Sequence, residues 1–150
     1  MSDDYMKGKS MNRRQAREAV FGLLFETDFH PCDAAEDIFD VSCDNREIEE
    51  DGYVRAAYFG VVEHMDEIDA VIEEHSKGWK AYRMSAASRT ALRLGIWEML
   101  YGDNIPAAVS INEAVELIKK YDDQKARPFV NGVLNAVKVT LENKKEQTNE

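Results

Sequence analysis

The amino-acid sequence predicts an all-α protein of about seven helices. Apolar residues recur at helical spacing along most of the 150-residue chain, as in the series Ile111, Ala114, Val115 and Ile118. Start and stop signals separate these stretches and leave only short connections between them. No sequence repeat of roughly 20–50 residues occurs, so a helical bundle is predicted rather than a solenoid.

The first half of the chain is predicted to form four helices. The first helix runs from Met11 to Asp28 and stops before His30-Pro31, because the residue before a proline is pushed out of the helical region. A short helix follows around Ile38. A longer helix begins at Glu47, and a bend near Asp66 separates it from the next helix.

A basic connector, residues 76–83, leads into the second half of the chain. Ser85 or Ser88 is suited to begin the following helix, because serine is a favoured N-cap residue. The run Gly102-Asp103-Asn104 then ends that helix. These signals predict one well-bounded helix between the connector and the break.

The last two helices are predicted from a capping box and a proline. Ser110 and Glu113 have the spacing of a capping box, which places a helix start at Ser110. A short polar loop follows, residues 122–127. Pro128 is suited to the first position of the final helix, where its missing N–H costs nothing.

Length and composition predict a single domain that needs no disulfide or metal. A chain of 150 residues buries about 68–70% of the surface exposed by its unfolded form. We expect residues 1–10 to form a disordered polar arm, residues 11–141 the helical domain, and residues 142–150 a disordered tail. No apolar run approaches the roughly 20 residues of a membrane span, and no signal peptide is recognised.

The sequence contains no pattern typical of an enzyme or a metal site. It lacks a glycine-rich phosphate loop, a G-x-S-x-G elbow and an H-E-x-x-H helix. Cys32 and Cys43 form neither a C-x-x-C pair nor a zinc framework. Glu98 has no catalytic partner, and an ion pair with Arg89, Arg93 or a neighbouring helix is the better interpretation. We expect a protein that is not an enzyme and that uses no cofactor or metal.

The distribution of charge is more informative than its total. The formal net charge of −10 is unusual for a nucleic-acid-binding protein, because phosphate neutralisation supplies much of the affinity. The basic residues are segregated, however, and a segregated surface binds an anion locally. Ordinary solvated helix faces are the alternative explanation. The basic islands are Lys7, Lys9, Arg13, Arg14 and Arg17; Lys77, Lys80, Arg83, Arg89 and Arg93; and Lys119, Lys120, Lys125 and Arg127.

Two of these islands have the features of a single-stranded RNA site. Such sites combine cations for phosphates with aromatic groups on which unstacked bases lie. Arginines at the start of the first helix give bidentate contacts, and the helix N-terminus adds a favourable dipole. Phe129 has cations nearby, although its ring would also suit a core position. The candidate RNA-binding residues, expected to line one groove, are Lys9, Arg13, Arg14, Arg17, Lys125, Arg127 and Phe129.

Three blocks of sequence follow one another in an informative order. The first is Arg13-Arg14-Gln15-Ala16-Arg17-Glu18 with Leu24-Phe25. The second runs from Arg89 to Met99. The third joins Val109–Leu117 to Phe129–Asn135. Together they closely resemble the arginine motif, central helix and signature of the NusB family of bacterial transcription antitermination factors, over roughly residues 11–140.

The resemblance implies a fold, a ligand and partners. The family fold packs two three-helix bundles at right angles, with a seventh helix completing them. Family members bind the boxA element of nascent ribosomal RNA leaders together with NusE, a small-subunit ribosomal protein. They join a complex that keeps RNA polymerase reading through terminators in ribosomal RNA operons. The matching RNA-binding residues are Arg13, Arg14, Arg17, Lys125 and Phe129.

The resemblance also indicates two departures and a partner face. Lys125 stands where the family often has Asp, and this change to a cation favours phosphate binding here. Asp122 stands where the family often has Gly, which changes the loop before the last helix. We expect NusE to bind the central helix and the start of the next one. The candidate partner-binding residues are Arg89, Arg93, Glu98 and Glu113.

Two other functions remain open. The chain would also suit a non-catalytic interaction module, like the similar helical domain fused to RNA cytosine methyltransferases. Alternatively, it would suit a self-associating scaffold whose arginines stabilise a homodimer. In all three cases we expect a cytoplasmic protein that does not bind a membrane.

Overall fold

The residues that the structure describes are mostly helical. The structure is a computed structural model that describes residues 11–42, 48 and 51–148. Within those residues there are seven α-helices, one 3-10 helix and no β-strand, so the all-α prediction is confirmed. The helices are α1 Arg13–Phe29, α2 Ala35–Ser42, α3 Gly52–Glu63, α4 Met65–His75, the 3-10 helix Ala81–Arg83, α5 Ala86–Tyr101, α6 Ala107–Tyr121 and α7 Ala126–Thr148.

The described helices belong to two compact units that divide between Val62 and Glu63. Unit 1 contains α1, α2 and nearly all of α3, and unit 2 contains the remaining helices. The sequence predicted one domain over residues 11–141. The expected N-terminal arm, residues 1–10, lies outside the described residues.

In unit 1, the start of α1 is fixed by a capping box. The side chain of Asn12 accepts a hydrogen bond from the N–H of Gln15 at 2.8 Å. In return, the Gln15 side chain accepts one from the N–H of Asn12 at 3.0 Å. These two bonds satisfy N–H groups that have no partner inside the helix. The helix ends as predicted, because His30, the residue before Pro31, is its C-cap.

The core of unit 1 is built around the aromatic side chain of Tyr58. Its ring is fully buried and stacks on Phe39, with 6.0 Å between the ring centroids. The hydroxyl lies 2.7 Å from Thr27 Oγ1 and donates to the carbonyl of Ala35. Burial raises the pKa of Tyr58, with the Thr27 hydrogen bond opposing that shift. The polar end of this core residue is therefore satisfied inside the unit.

In unit 2, α5 is the central helix and packs against α4, α6 and α7. Gly95 allows the close approach: a Cβ atom at this position would lie 3.3 Å from the Leu134 methyl groups and 3.7 Å from Ala114. Ser85 is the N-cap of α5 and accepts from the N–H of Ser88 at 3.1 Å. The helix ends at Gly102, where a side chain would collide with the carbonyl oxygen of Glu98. Both predicted ends of α5 are confirmed.

The predicted capping box at Ser110 and Glu113 is wrong. The helix α6 begins at Ala107, one turn earlier, with Pro106 as an extended N-cap residue. Ser110 therefore lies inside the helix, and its hydroxyl donates to Glu98 Oε1 at 2.7 Å. Ser110 and Glu98 are both 2% exposed. A buried carboxylate needs hydrogen-bond donors because water cannot solvate it, so the Ser110 hydroxyl bonds to Glu98 rather than capping a helix.

The helix α7 also differs from expectation at both ends. It begins at Ala126, so Pro128 is its third residue rather than its first. The missing N–H of Pro128 still falls in the first turn, where such groups have no helical partner. At the other end, α7 continues through Thr148 and covers most of residues 142–150, for which a disordered tail was expected. Lys138 and Glu142 form an ion pair of 3.9 Å one turn apart within it.

Candidate nucleic-acid interface

In unit 1, the start of α1 presents arginines on a helix N-terminus. Arg13 and Arg14 are exposed, whereas Arg17 is only 6% exposed. The Arg13 guanidinium lies 4.3 Å from the centroid of the Tyr53 ring, and that of Arg17 lies 5.9 Å from it. A cation over an aromatic face is held there by the ring quadrupole. Tyr53 therefore limits the freedom of the arginines, and the first turn of α1 contains no acid.

In unit 2, an open cleft of about 330 Å³ lies between the start of α5 and the start of α7. We refer to it as the Phe129 cleft. Phe129 is half-buried and lines it, and the exposed Lys125 lies at its edge. The ring thus serves neither as a purely buried core residue nor as a fully exposed one. The lining residues are Trp79, Arg83, Met84, Ser85, Ser88, Asp122, Asp123, Lys125, Ala126 and Phe129.

Asp122 fastens the loop that carries Lys125 to the start of α5. Its Oδ2 accepts from Ser85 Oγ at 2.6 Å and from Ser88 Oγ at 2.8 Å. Its Oδ1 accepts from the N–H of Asp123 at 2.7 Å. Partial burial raises the pKa of Asp122, but the hydrogen bonds outweigh burial and hold that pKa below its ordinary value. The lowered pKa favours the charged carboxylate, which ties the loop before α7 to the start of α5.

The candidate partner-binding residues are engaged inside unit 2. Arg93 is buried and forms a bidentate ion pair with Asp69, with both N–O distances 2.8 Å. Arg89 Nη1 donates to the carbonyls of Ala81 and Met84 at 3.1 Å each. Glu98 is buried on α5, and Glu113 is half-buried on α6. Glu98 accepts a hydrogen bond from Ser110 on the neighbouring helix α6, and its expected ion pair stays a prediction.

The sequence is similar to a known protein family and to its members. A model of the NusB family matches residues 14–138, which is most of the chain. The chain belongs to the NusB family. It is 41% identical over 135 residues to the transcription antitermination protein NusB of Bacillus velezensis, an alignment that covers 88% of this chain and 99% of that protein.

Solved structures of the NusB family have the same fold. The chain is 32% identical to Thermotoga maritima NusB, with a TM-score of 0.75 and coverage of 84% of this chain and 89% of that one. A chain in a crystal structure of the antitermination factors NusB and NusE in complex with double-stranded RNA is 31% identical. That match has a TM-score of 0.74 and covers 83% of this chain and 94% of that one.

Several members of the predicted RNA site have a defined position within this NusB-family fold. Arg13, Arg14 and Arg17 lie in unit 1, whereas the Phe129 cleft lies in unit 2, so the single groove stays a prediction. Arg127 is half-buried and is not among the residues that line the cleft. Lys9 lies outside the described residues.

Sequence reasoning missed two residues of the Phe129 cleft. Trp79 and Arg83 line it, although they precede Phe129 by about fifty positions in the chain. A tryptophan inside a basic connector was the available signal. It was not used, because the sequence alone does not place that connector beside the start of α7.

The described residues contain no helix that is long and apolar enough to span a membrane. The same part of the chain contains no group of three or more histidine, cysteine or acidic side chains suited to a metal ion.

Proposed function

We propose that this chain is an RNA-binding transcription antitermination factor. It binds single-stranded boxA RNA of ribosomal RNA operon leaders together with NusE, and this complex promotes read-through by RNA polymerase. The observation that carries the proposal is family membership over residues 14–138. That range includes the arginine motif from Arg14, the Phe129 cleft and α5.

In unit 1, Arg13 and Arg14 are proposed to bind RNA phosphates or base edges. Both side chains are exposed at the N-terminus of α1, where the helix dipole favours an anion. Arg13 is ordered by Tyr53, so less side-chain entropy is lost when it binds. Arg17 is buried near the same ring, so we propose that it positions Tyr53 and the first turn of α1 rather than binding RNA directly.

In unit 2, we propose that one unstacked base lies on Phe129 while Lys125 binds the adjacent phosphate. Stacking of a base on an aromatic side chain contributes about 1–3 kcal/mol. Lys125 lies beside two acids, Asp122 and Asp123, which would compete with phosphate for its charge. Its contribution to RNA affinity therefore depends on a loop that keeps its side chain at the edge of the cleft. Arg127 and Lys9 are proposed as further cations of the site.

The partner NusE is proposed to bind the surface formed by α5 and the start of α6. Arg93 and Glu98 are buried, so they would act on this surface by fixing the position of α5. Arg89 and Glu113 are less buried and are the better candidates for direct contact.

The proposed activity is binding alone, in the cytoplasm, without catalysis or a cofactor. The relatives and solved structures that resemble this chain are antitermination factors. No observation specifically favours the alternatives, an interaction module or a self-associating scaffold.

Fluorescence anisotropy with two single-stranded RNAs tests the proposal. One RNA carries a boxA-type sequence, and the other has the same composition in scrambled order. We expect tighter binding to boxA, and a further gain in affinity when NusE is added. Equal affinities for the two RNAs, with and without NusE, would refute the proposed specificity.

A further inference from the structure

The connector between α4 and α5, residues 77–83, presents two large aromatic side chains to solvent. Trp79 is 54% exposed and Tyr82 is 72% exposed. Three cations accompany them: Lys77, Lys80 and Arg83, all exposed. The Arg83 guanidinium lies 5.9 Å from the Tyr82 ring centroid. Exposed rings alternating with cations are the composition of a surface that binds single-stranded nucleic acid.

The backbone of this connector is held by hydrogen bonds from three side chains. Ser76 Oγ donates to the carbonyl of Trp79 at 2.7 Å. The N–H of Ala81 donates to Glu73 Oε2 at 3.1 Å, and the carbonyl of Ala81 accepts from Arg89 at the same distance. Glu73 of α4, Ser76 directly after it and Arg89 of α5 therefore fix the backbone at Trp79 and Ala81, which lowers the entropic cost of binding.

A tight turn follows the end of α4. Lys77 and Gly78 both have left-handed backbone conformations, with φ of 55° and 89°. Glycine adopts this conformation freely, whereas lysine does so at a cost. The turn brings Lys77 and Trp79 to the same open cleft of about 450 Å³, with Lys80, Tyr82 and Arg83.

This second cleft adjoins the Phe129 cleft within unit 2. Trp79 and Arg83 line both. A strand bound at Phe129 that extends to Trp79 would therefore also enter the second cleft. The aromatic order along this path is Phe129, then Trp79, then Tyr82.

We propose that Trp79 and Tyr82 form a second base-binding subsite for unpaired RNA, continuous with the Phe129 cleft. Trp79 stacks a base, while Lys77 and Arg83 bind the flanking phosphates. This inference rests on the proposed function, because it extends the same bound strand. RNA fits this surface better than a protein does, since lysines are depleted from protein interfaces. Glu73 is already engaged by Lys80 at 3.8 Å and by the N–H of Ala81, which leaves Lys77 and Arg83 as the cations for phosphate.

Tryptophan fluorescence of the full chain reports directly on this subsite. The chain has two tryptophans, and Trp97 is 8% exposed, so Trp79 is the one accessible to solvent. We expect single-stranded RNA to quench the emission, and Trp79→Leu to remove the quenching and lower RNA affinity about tenfold, as for loss of one stacked base. Lys77→Asn, which suits a left-handed residue, should reduce the salt slope by about 0.7.

Tyr101→Leu is the matched control. Tyr101 is another exposed aromatic residue of unit 2, at the opposite end of α5 and about 20 Å along the helix from Ser88. In the absence of NusE, its replacement should leave RNA affinity unchanged. The subsite would be overturned if RNA left the emission of the wild type unquenched and if Trp79→Leu left RNA affinity unchanged. Loss of NusE binding alone in that variant would also overturn it and assign the surface to a protein.

Failure of this subsite is distinguishable from failure of the proposed function. Stacking on tryptophan tolerates any base, so scrambled RNA should quench Trp79 as well as boxA RNA does. Quenching without boxA preference would support the subsite and contradict the proposed specificity. BoxA preference without quenching would do the reverse.

Discussion

Asp122 determines how the loop before α7, which we propose binds RNA, is held in unit 2. One carboxylate oxygen accepts from both Ser85 and Ser88, and the other accepts from the backbone of Asp123. The resemblance to the NusB family favours glycine at this position, which has no side chain to make these contacts. We call this set of hydrogen bonds the Asp122 latch. It replaces backbone freedom with three hydrogen bonds, and it places Lys125 at the edge of the Phe129 cleft.

Asp122→Asn should destabilise the protein by about 1 kcal/mol near neutral pH, the value for a hydrogen bond to a charged group reduced for partial exposure. The folded pKa of Asp122 is lowered, so its contribution is present above roughly pH 4 and is lost as pH falls through the folded pKa. The difference between the two proteins should therefore shrink on acidification. Urea unfolding at several pH values measures it.

Asp103→Asn is the control for this prediction. It makes the same change in charge at an exposed residue of unit 2, and its effect on the free energy of unfolding should stay near zero. A difference between wild type and Asp122→Asn that grows below pH 4 would contradict the latch.

At the scale of the element, the capping box at Asn12 and Gln15 positions the arginine motif. Arg13 and Arg14 are the first two residues of α1, so any fraying of that turn displaces both. The cap is neutral, and the first turn contains no acid. The positive potential of the helix N-terminus is therefore left available to a phosphate.

Asn12→Ala should lower the free energy of unfolding by about 1 kcal/mol, the usual cost of losing an N-cap. It should also weaken RNA binding, because the first turn would no longer hold the arginines in place. Asn12→Ser keeps a capping oxygen and should retain both properties. Urea unfolding and RNA anisotropy on the same samples check this, and an unchanged urea midpoint in Asn12→Ala would show that the cap contributes nothing.

Local signals explain which helix ends the sequence predicted correctly. His30-Pro31, Ser85 and Gly102 act through their immediate neighbours, so each end is confirmed. Ser110 shows where this reasoning fails. Its spacing to Glu113 satisfied a local rule, but its partner is Glu98 on a different helix. The Ser110 hydroxyl donates to Glu98 because that carboxylate is buried and needs a donor. The burial of Glu98 follows from the packing of α5 against α6, which the sequence alone does not give.

At the scale of the molecule, the sequence predicted which residue types the proposed RNA site contains, but not how the fold arranges them. The arginines of α1 and the ring of Phe129 were predicted from residue type and position. The Phe129 cleft was not, because Trp79 and Phe129 come together only when α5 and α7 pack. Burial of Arg17 was also not predicted, since its partner Tyr53 lies on another helix.

The net negative charge of the protein opposes RNA binding. A net charge of −10 repels a polyanion at long range, so affinity must come from cations that are close to the strand. Such contacts release counterions, and the affinity then falls with salt by about 0.7 log units per phosphate for each tenfold change in salt.

The salt dependence of RNA binding therefore tests the central claim most directly. Arg13→Ala/Arg14→Ala should weaken binding and flatten the slope of log affinity against log salt by about 1.4, corresponding to two lost phosphate contacts. Arg55→Ala, which removes an exposed arginine elsewhere in unit 1, should leave the slope unchanged. An identical slope in the wild type and the double variant would contradict the assignment of RNA binding to these arginines.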